Sequence, residues 1–192
     1  MKNFDSFGVM LDCSRNAVPN VPELKKFIGI ISKMGYNFVM LYTEDTYEVE
    51  NEPYFGYMRG RYSAKEIRDI DAYCKKLGVE LIPCVQTLAH FNAIFRWDAY
   101  DDVHDIDDVM LADSDRTYEI IENIFKSLSK EFSSRRVHIG MDEAHKVGLG
   151  KYLDIHGYQN RYELLMRHLN KVCDIAKKYG FEPMMWDDMF FR

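Results

Sequence analysis

The sequence is short of several things. Its four cysteines, Cys13, Cys74, Cys84 and Cys173, form no CxxC pair and sit inside apolar stretches. That excludes a disulfide scaffold and implies buried, reduced thiols. No apolar run approaches the roughly 18 residues that span a bilayer. The start, Met-Lys-Asn-Phe-Asp-Ser-Phe-Gly, lacks the apolar core of a signal peptide, so a cytoplasmic location is the expectation. Positive charge is scarce: 25 Lys and Arg stand against 31 Asp and Glu, a net charge of -6. A phosphate-rich surface needs clustered Lys and Arg, so neither nucleic acid nor membrane is an expected partner. GxGxxG and GxxxxGK[ST] are both absent, which removes dinucleotide and P-loop sites and leaves no expected cofactor. HExxH and DxDxDG are absent too, and no metal is expected.

What remains is globular, with 47% hydrophobic and 29% charged residues. There is no repeat and no Pro/Gly/Ser linker, so residues 1–192 read as one unit. Short apolar runs alternate with amphipathic stretches. Gly8 to Cys13, Phe38 to Tyr42, Val79 to Val85, Arg136 to Gly140 and Glu182 to Trp186 read as strands. A helix opens at Pro22 with Leu24, Phe27, Ile28, Ile31 and Met34 on one face. Ser63 and Glu66 form a capping box ahead of a second helix carrying Ile67, Ile70, Cys74 and Leu77. A third carries Ile121, Ile124, Phe125, Leu128 and Phe132. A fourth, with Asn160 and Glu163 at its start, carries Leu165, Leu169, Val172 and Ala176. Gln86 to Asp115 reads as long and irregular. Its portion from Asp98 to Asp115 holds eight aspartates and no Lys or Arg, the composition of a solvated acidic loop.

Strands apolar on both faces and separated by helices make a parallel α/β sheet. Periodicity allows either a doubly wound sheet or the first five βα units of an eightfold barrel. In both, chemistry belongs at the carboxyl ends of the strands. There stand Asp12, Ser14 and Arg15; Glu44 and Asp45; Gln86, Thr87 and His90; Asp142, Glu143 and His145; and Trp186, Asp187 and Asp188. Charge concentrated at one end of apolar strands must be desolvated or paired, which a ligand site explains. His138, Asp142, Glu143 and His145 lie close enough to suggest a metal, but His138 reads better as a hydrogen-bonded histidine of the strand. The adjacent carboxylates Asp142 and Glu143 repel each other's charge, so one can hold a proton near neutral pH. A protonated Glu suits a leaving glycosidic oxygen, and Trp186 suits a sugar face.

The run His138-Ile139-Gly140-Met141-Asp142-Glu143-Ala144-His145 resembles the HxGGDE signature of the family-20 glycoside hydrolases, the β-N-acetylhexosaminidases. Leu11-Asp12-Cys13-Ser14-Arg15-Asn16 is similar to the family's LDxSRH pattern, which assigns sugar hydroxyls to Arg15. Tyr42-Thr43-Glu44-Asp45 resembles its second strand end, with Asp45 the best match to the pocket aspartate. Leu88-Ala89-His90 stands in the place of PGH, which puts His90 near the acid. Trp186-Asp187-Asp188 resembles its tryptophan-acidic pair, with Trp186 walling the acetamido pocket. Met141 departs from the second Gly, Gln86-Thr87-Leu88-Ala89 from Asp-Met-Pro-Gly, and Asn16 from the histidine after the arginine.

The resemblance implies a (β/α)8 TIM-type barrel, of which these strands are the first five, incomplete and open. It implies exo-acting hydrolysis of terminal β-linked N-acetylhexosamine by substrate-assisted retention, the family being an exception to the two-carboxylate scheme. Asp142 would orient the 2-acetamido group, and Glu143 would act as acid and then base. The substrate partner would be the terminal N-acetylhexosamine of a glycan. The two acids would reach one sugar only if the strand curls at them, because strand alternation otherwise points them apart. Barrels of this kind take about 250 residues. The alternatives are therefore a truncated half-barrel that is catalytically incomplete and covered by a second copy or by the missing C-terminal half, or a sugar-binding relic.

Overall fold

The computed structural model describes residues 4–15 and 17–191, so Asn16 lies outside the described residues. The strands and helices are β1 (Gly8–Asp12), α1 (Val21–Lys33), β2 (Phe38–Tyr42), α2 (Ala64–Lys76), β3 (Glu80–Cys84), β4 (His104–Ile106), β5 (Val109–Met110), α3 (Asp115–Glu131), β6 (Arg136–His138), α4 (Lys151–His156), α5 (Arg161–Lys178) and β7 (Glu182–Met184). The large sheet has the order β1-β2-β3-β6-β7, and every adjacent pair is parallel. A doubly wound sheet reverses its strand order at a switch point. No reversal occurs here. With right-handed crossovers, a strictly sequential order puts every helix on one side of the sheet. This is the arc of a βα barrel. Among the described residues β1 and β7 each pair on one side only, so the arc is open.

The helices form where the sequence caps them. The Asn20 side chain accepts from the Glu23 amide at 3.0 Å to start α1. Ser63 and Glu66 make the reciprocal capping box of α2. Asn160 caps α5 alone, accepting from the amides of Tyr162 and Glu163. Leu24, Ile28, Ile67, Ile70 and Cys74 pack on Val39, Leu41 and Leu81, the helix-facing side of the sheet. In-register Met10, Met40 and Ile82 lie on the opposite, interior side, where Met10 and Met40 stay half-buried. Cys13, Cys74 and Cys84 are buried and Cys173 half-buried, all as free thiols. Burial pushes the Cys13 and Cys74 thiols up to about 12. No helix among the described residues is long and apolar enough to cross a membrane.

The region read as a solvated acidic loop does expose Asp98, Asp101, Asp102, Asp107 and Asp115, but it is not irregular throughout. It holds a short 3-10 turn, Asp98–Val103, and the antiparallel pair β4-β5. The Asp105 carboxylate is buried and accepts from the amides of Gly148 and Tyr152, both at 2.8 Å. Asp113 accepts from the Tyr152 hydroxyl at 3.1 Å and from Arg167 at 2.8 Å. These carboxylates satisfy backbone and side-chain donors of the segment after β6, which is what makes their burial tolerable.

Candidate active site

The sheet's uppermost row is Asp12, Tyr42, Cys84, His138 and Met184, neighbours in register across all five strands. Beyond it the chain turns at each strand end. Asp12 accepts from the amide and hydroxyl of Ser14, at 2.8 and 2.7 Å, and bends the first loop. Arg15 then reaches Glu44 at 3.2 Å. Glu44 also lies 3.8 Å from Nδ1 of His90. Nε2 of His90 is 3.1 Å from an Asp142 oxygen and 3.8 Å from Glu143. Gln86 donates to the other Asp142 oxygen at 2.9 Å and to the Tyr42 hydroxyl at 3.1 Å.

His90 is held from several sides. Its amide donates to Asp108, in the β4-β5 turn, at 3.1 Å. Buried His168 bonds the Thr87 carbonyl at 2.9 Å, and Thr87 donates its hydroxyl to the Ile139 carbonyl at 2.8 Å. The loops after β3 and β6 are thereby tied together below the site. Burial pushes the His168 imidazole down to about 4, so it stays neutral.

β6 ends at His138, and the backbone then leaves strand geometry. Gly140 and Met141 both have φ of +76°, and Glu143 has +55°. This is the curl the two acids require. A Cβ on Gly140 would meet Gln86 Oε1 at 1.9 Å, so only glycine fits there. Met141, in the place of the family pattern's second Gly, bears the strain of a left-handed residue and is fully buried in the main apolar core. The Glu143 amide donates to Asp188 at 3.3 Å. Trp186 is tied to this loop through its amide, which donates to the Gly140 carbonyl at 3.0 Å. Its ring lies against His138, 4.7 Å between centroids. His138 is thus a packed histidine whose Nδ1 accepts from the Gly140 amide, with burial holding it below its ordinary value.

The electrostatics separate the groups. Burial alone would raise the Asp142 carboxyl, but hydrogen bonds from His90 and Gln86 leave it below the usual carboxylate range. The Asp142 hydrogen bond holds His90 above its ordinary value against the opposing effect of burial, and the charges of Asp142, Glu44 and Asp108 add to the rise. Burial raises Glu44, with Arg15 and His90 pulling the other way. Asp142 is mostly buried, whereas the Glu143 side chain is 67% exposed. An open hollow of about 320 Å³ is lined by Asp142, Glu143, His145, Trp186, Asp187 and Asp188.

Five of the six residues singled out in the sequence therefore meet at one end of the sheet: Arg15, His90, Asp142, Glu143 and Trp186. Asp45 does not join them. Its side chain, 1% exposed, is paired with Arg59 at 3.1 Å, and Arg59 also donates to the Ser14 carbonyl. The physical reason is the turn that follows β2: the Thr46 amide donates to the Thr43 carbonyl and Glu44 takes a φ of +46°, which leaves Glu44 toward Arg15 and His90 and Asp45 toward Arg59. Nothing in the sequence marks that turn, so Glu44 was not separable from Asp45 there. Gln86 and Asp188 carry no signal either, since their roles depend on loop geometry.

The sequence profile described as "Glycosyl hydrolase family 20, catalytic domain" matches residues 4–192. The chain belongs to this family. It is 23% identical over 184 residues to "Hexosaminidase D" of Homo sapiens, covering 91% of this chain and 38% of that protein. It is 22% identical over 210 residues to "Beta-hexosaminidase 3" of Arabidopsis thaliana, covering 98% of this chain and 38% of that protein. Among solved structures it is similar to the GH20 exo-β-N-acetylglucosaminidase from Vibrio harveyi in complex with N-acetylglucosamine. The TM-score is 0.82 at 21% identity, over 96% of this chain and 35% of that one. The likeness extends the family's fold to nearly the whole chain, and the chain spans well under half the length of these relatives.

Proposed function

We propose that this family-20 chain carries the catalytic carboxylates for exo-acting hydrolysis of terminal β-linked N-acetylhexosamine by substrate-assisted retention. The observation that carries the reading is that adjacent Asp142 and Glu143 face the same histidine, at 3.1 and 3.8 Å, with Trp186 in the same hollow.

Ionised Asp142, fixed by Gln86 and His90, accepts the acetamido N–H and balances the positive charge that develops on that group. The acetamido carbonyl oxygen attacks the anomeric carbon as the glycosidic bond breaks, and Glu143 gives its proton to the leaving oxygen. Water then attacks the anomeric carbon, its proton passes to Glu143, and the oxazolinium ring reopens to the acetamide. The configuration is retained because each of the two displacements inverts the anomeric carbon. Arg15, braced by Glu44, is placed to hold sugar hydroxyls. Trp186 supplies an aromatic wall.

The test is release of p-nitrophenol from the β-N-acetylglucosaminide. Removing a general acid costs about 10²- to 10⁴-fold, so Glu143→Gln should lose at least that order of rate. A variant retaining the wild-type rate refutes the assignment. A second reading is favoured by the one-sided pairing of β1 and β7 and by half-buried Met10 and Met40 on the interior face. It makes the open arc an element that is covered by assembly. That reading predicts no turnover together with association that rises with concentration.

A further inference from the structure

The helix side of the sheet carries a hollow that the glycosidase reading does not use. It measures about 350 Å³ and lies between the loop joining β2 to α2 and the helices α2 and α3. It shares no lining residue with the hollow at Asp142 and Glu143. We propose that this second hollow is a binding site for a small organic cation, an ammonium group on an apolar body, whose charge is met by Glu131 and Glu48. The proposal stands apart from the catalytic assignment.

Three observations bear on the occupant. The first is Glu131 itself. It is 7% exposed, and its Oε2 is buried with no hydrogen-bond partner among the described residues. A buried carboxylate oxygen ordinarily has a donor. The charges acting on this one belong to Arg68 of α2, Glu48 of the loop and its neighbour Lys130, and all three line the hollow, so the carboxyl faces that space. Glu131 is also the last residue of the 17-residue helix α3. A helix C-terminus favours a cation and disfavours a carboxylate, so both the side chain and the helix end call for positive charge. The second observation is how the other charges on the wall are committed. Lys130 is paired with Glu50, and Arg61 donates to the Pro53 and Phe55 carbonyls. Glu52 is held by Arg116 at 2.9 Å and Asn123 at 3.0 Å. Glu131 and Glu48 remain, Glu48 accepting from the Ala64 amide at 3.2 Å, against the exposed guanidinium of Arg68. Solvent screens the guanidinium more than it screens a buried acid, so the hollow is short of one positive charge. The third is the rest of the wall. Val49, Pro53 and Ala64 are apolar and suit a hydrocarbon body. No group of three or more His, Cys, Asp or Glu among the described residues is arranged to hold a metal ion, so these acids do not make a metal site.

Binding of a cation is linked to the proton on Glu131. Burial raises that carboxyl to about 7, with Arg68 opposing and Glu48 adding to the rise. About a tenth of it is ionised at pH 6 and about nine-tenths at pH 8. The experiment is an NMR titration of the whole chain with butylammonium chloride, followed at the amides of Glu50 and Ala64. Sodium butyrate at the same ionic strength supplies the anionic comparison. Butylammonium should bind saturably at pH 8 and about tenfold more weakly at pH 6, while butyrate should not saturate. Glu131→Gln, which keeps the shape of the side chain, should weaken binding at pH 8 by at least about tenfold and flatten its pH dependence. Arg68→Gln should strengthen it by about two- to fivefold. No saturable shift with butylammonium at pH 8, or equal affinity in the wild type and Glu131→Gln, would overturn the proposal. Saturable binding of butyrate, weakened by Arg68→Gln, would overturn it as well and give the hollow to an anion.

Discussion

Gly140→Ala tests how the acid loop is built. Gly140 has φ of +76°, and an added Cβ would sit 1.9 Å from Gln86 Oε1, 2.5 Å from Gln86 Cδ and 3.0 Å from the Val85 carbonyl. Gln86 is fully buried, with its amide nitrogen already committed to Tyr42 and Asp142, so it has nowhere to retreat. A left-handed residue with a Cβ costs about 1–2 kcal/mol. Forcing an atom into a packed interior costs roughly 1–3 kcal/mol more. The sum, about 2–5 kcal/mol, lowers Tm by roughly 4–20 °C for a chain of this size. Gly78→Ala is the control. Gly78 has φ of +67° after α2 and nothing within 4 Å of an added Cβ, so it pays only the conformational part. Thermal unfolding of the two variants by circular dichroism isolates the packing part. The displaced Gln86 also loses its hold on Asp142, so Gly140→Ala should weaken sugar binding where Gly78→Ala does not. Equal losses of Tm in the two variants would refute the claim that Gly140 exists to let the acid loop press against Gln86.

Three further outcomes follow from the charges. His90 is raised above its ordinary 6.5, so its stabilisation is complete below that pH and is lost as pH rises through the folded value. Asp142 is lowered below 3.8, so its contribution is present above 3.8 and lost as pH falls through the folded value. Asp142→Asn should therefore cost most in the window between those values, on the order of 1.5–3 kcal/mol for a charge-assisted hydrogen bond. It should also move the NMR titration of His90 downward, and an unmoved titration refutes the pairing. Glu44→Gln should weaken sugar binding with Tm nearly unchanged, whereas Asp45→Asn, which breaks the buried pair with Arg59, should lower stability by about 3–5 kcal/mol. The reverse pattern would restore Asp45 to the pocket. On the helix side of the sheet, burial pushes the Glu131 carboxyl up from 4.5 to about 7. A raised carboxyl leaves stability highest below 4.5 and lost as pH rises through 7. Glu131→Gln should then gain up to about 3 kcal/mol over wild type at pH 8 and little at pH 4, read by denaturant unfolding at both pH values.

The elements were legible where local chemistry decides them. Pro22, Ser63 and Asn160 announce helix starts, and β-rich apolar runs announce strands. The strand ends were not. Arg136 to Gly140 reads as one strand, yet β6 stops at His138, because the backbone turns left-handed at Gly140 and again at Met141, and a buried methionine gives no sign of that angle. The hairpin β4-β5 was hidden for a related reason. Asp105 looks as solvated in sequence as its neighbours, and it is buried only because amides of Gly148 and Tyr152, more than forty residues on, arrive to meet it.

The candidate site divides along the same line. Asp142, Glu143, His90, Arg15 and Trp186 were legible because their side-chain types carry the chemistry. What makes them converge is backbone conformation that residue type conceals. Glu44, His90, Met141 and Glu143 all have positive φ, between 46° and 76°, and none is glycine, asparagine or aspartate, the residues that accept such angles most easily. Strained backbone of this kind persists only where the surroundings over-determine it. Here Thr87, His168, Asp108 and Asp188 do so. A strand continuing straight to Glu143 would send its two acids to opposite faces of the sheet. The left-handed turn at Gly140 and Met141 is what lets both reach His90.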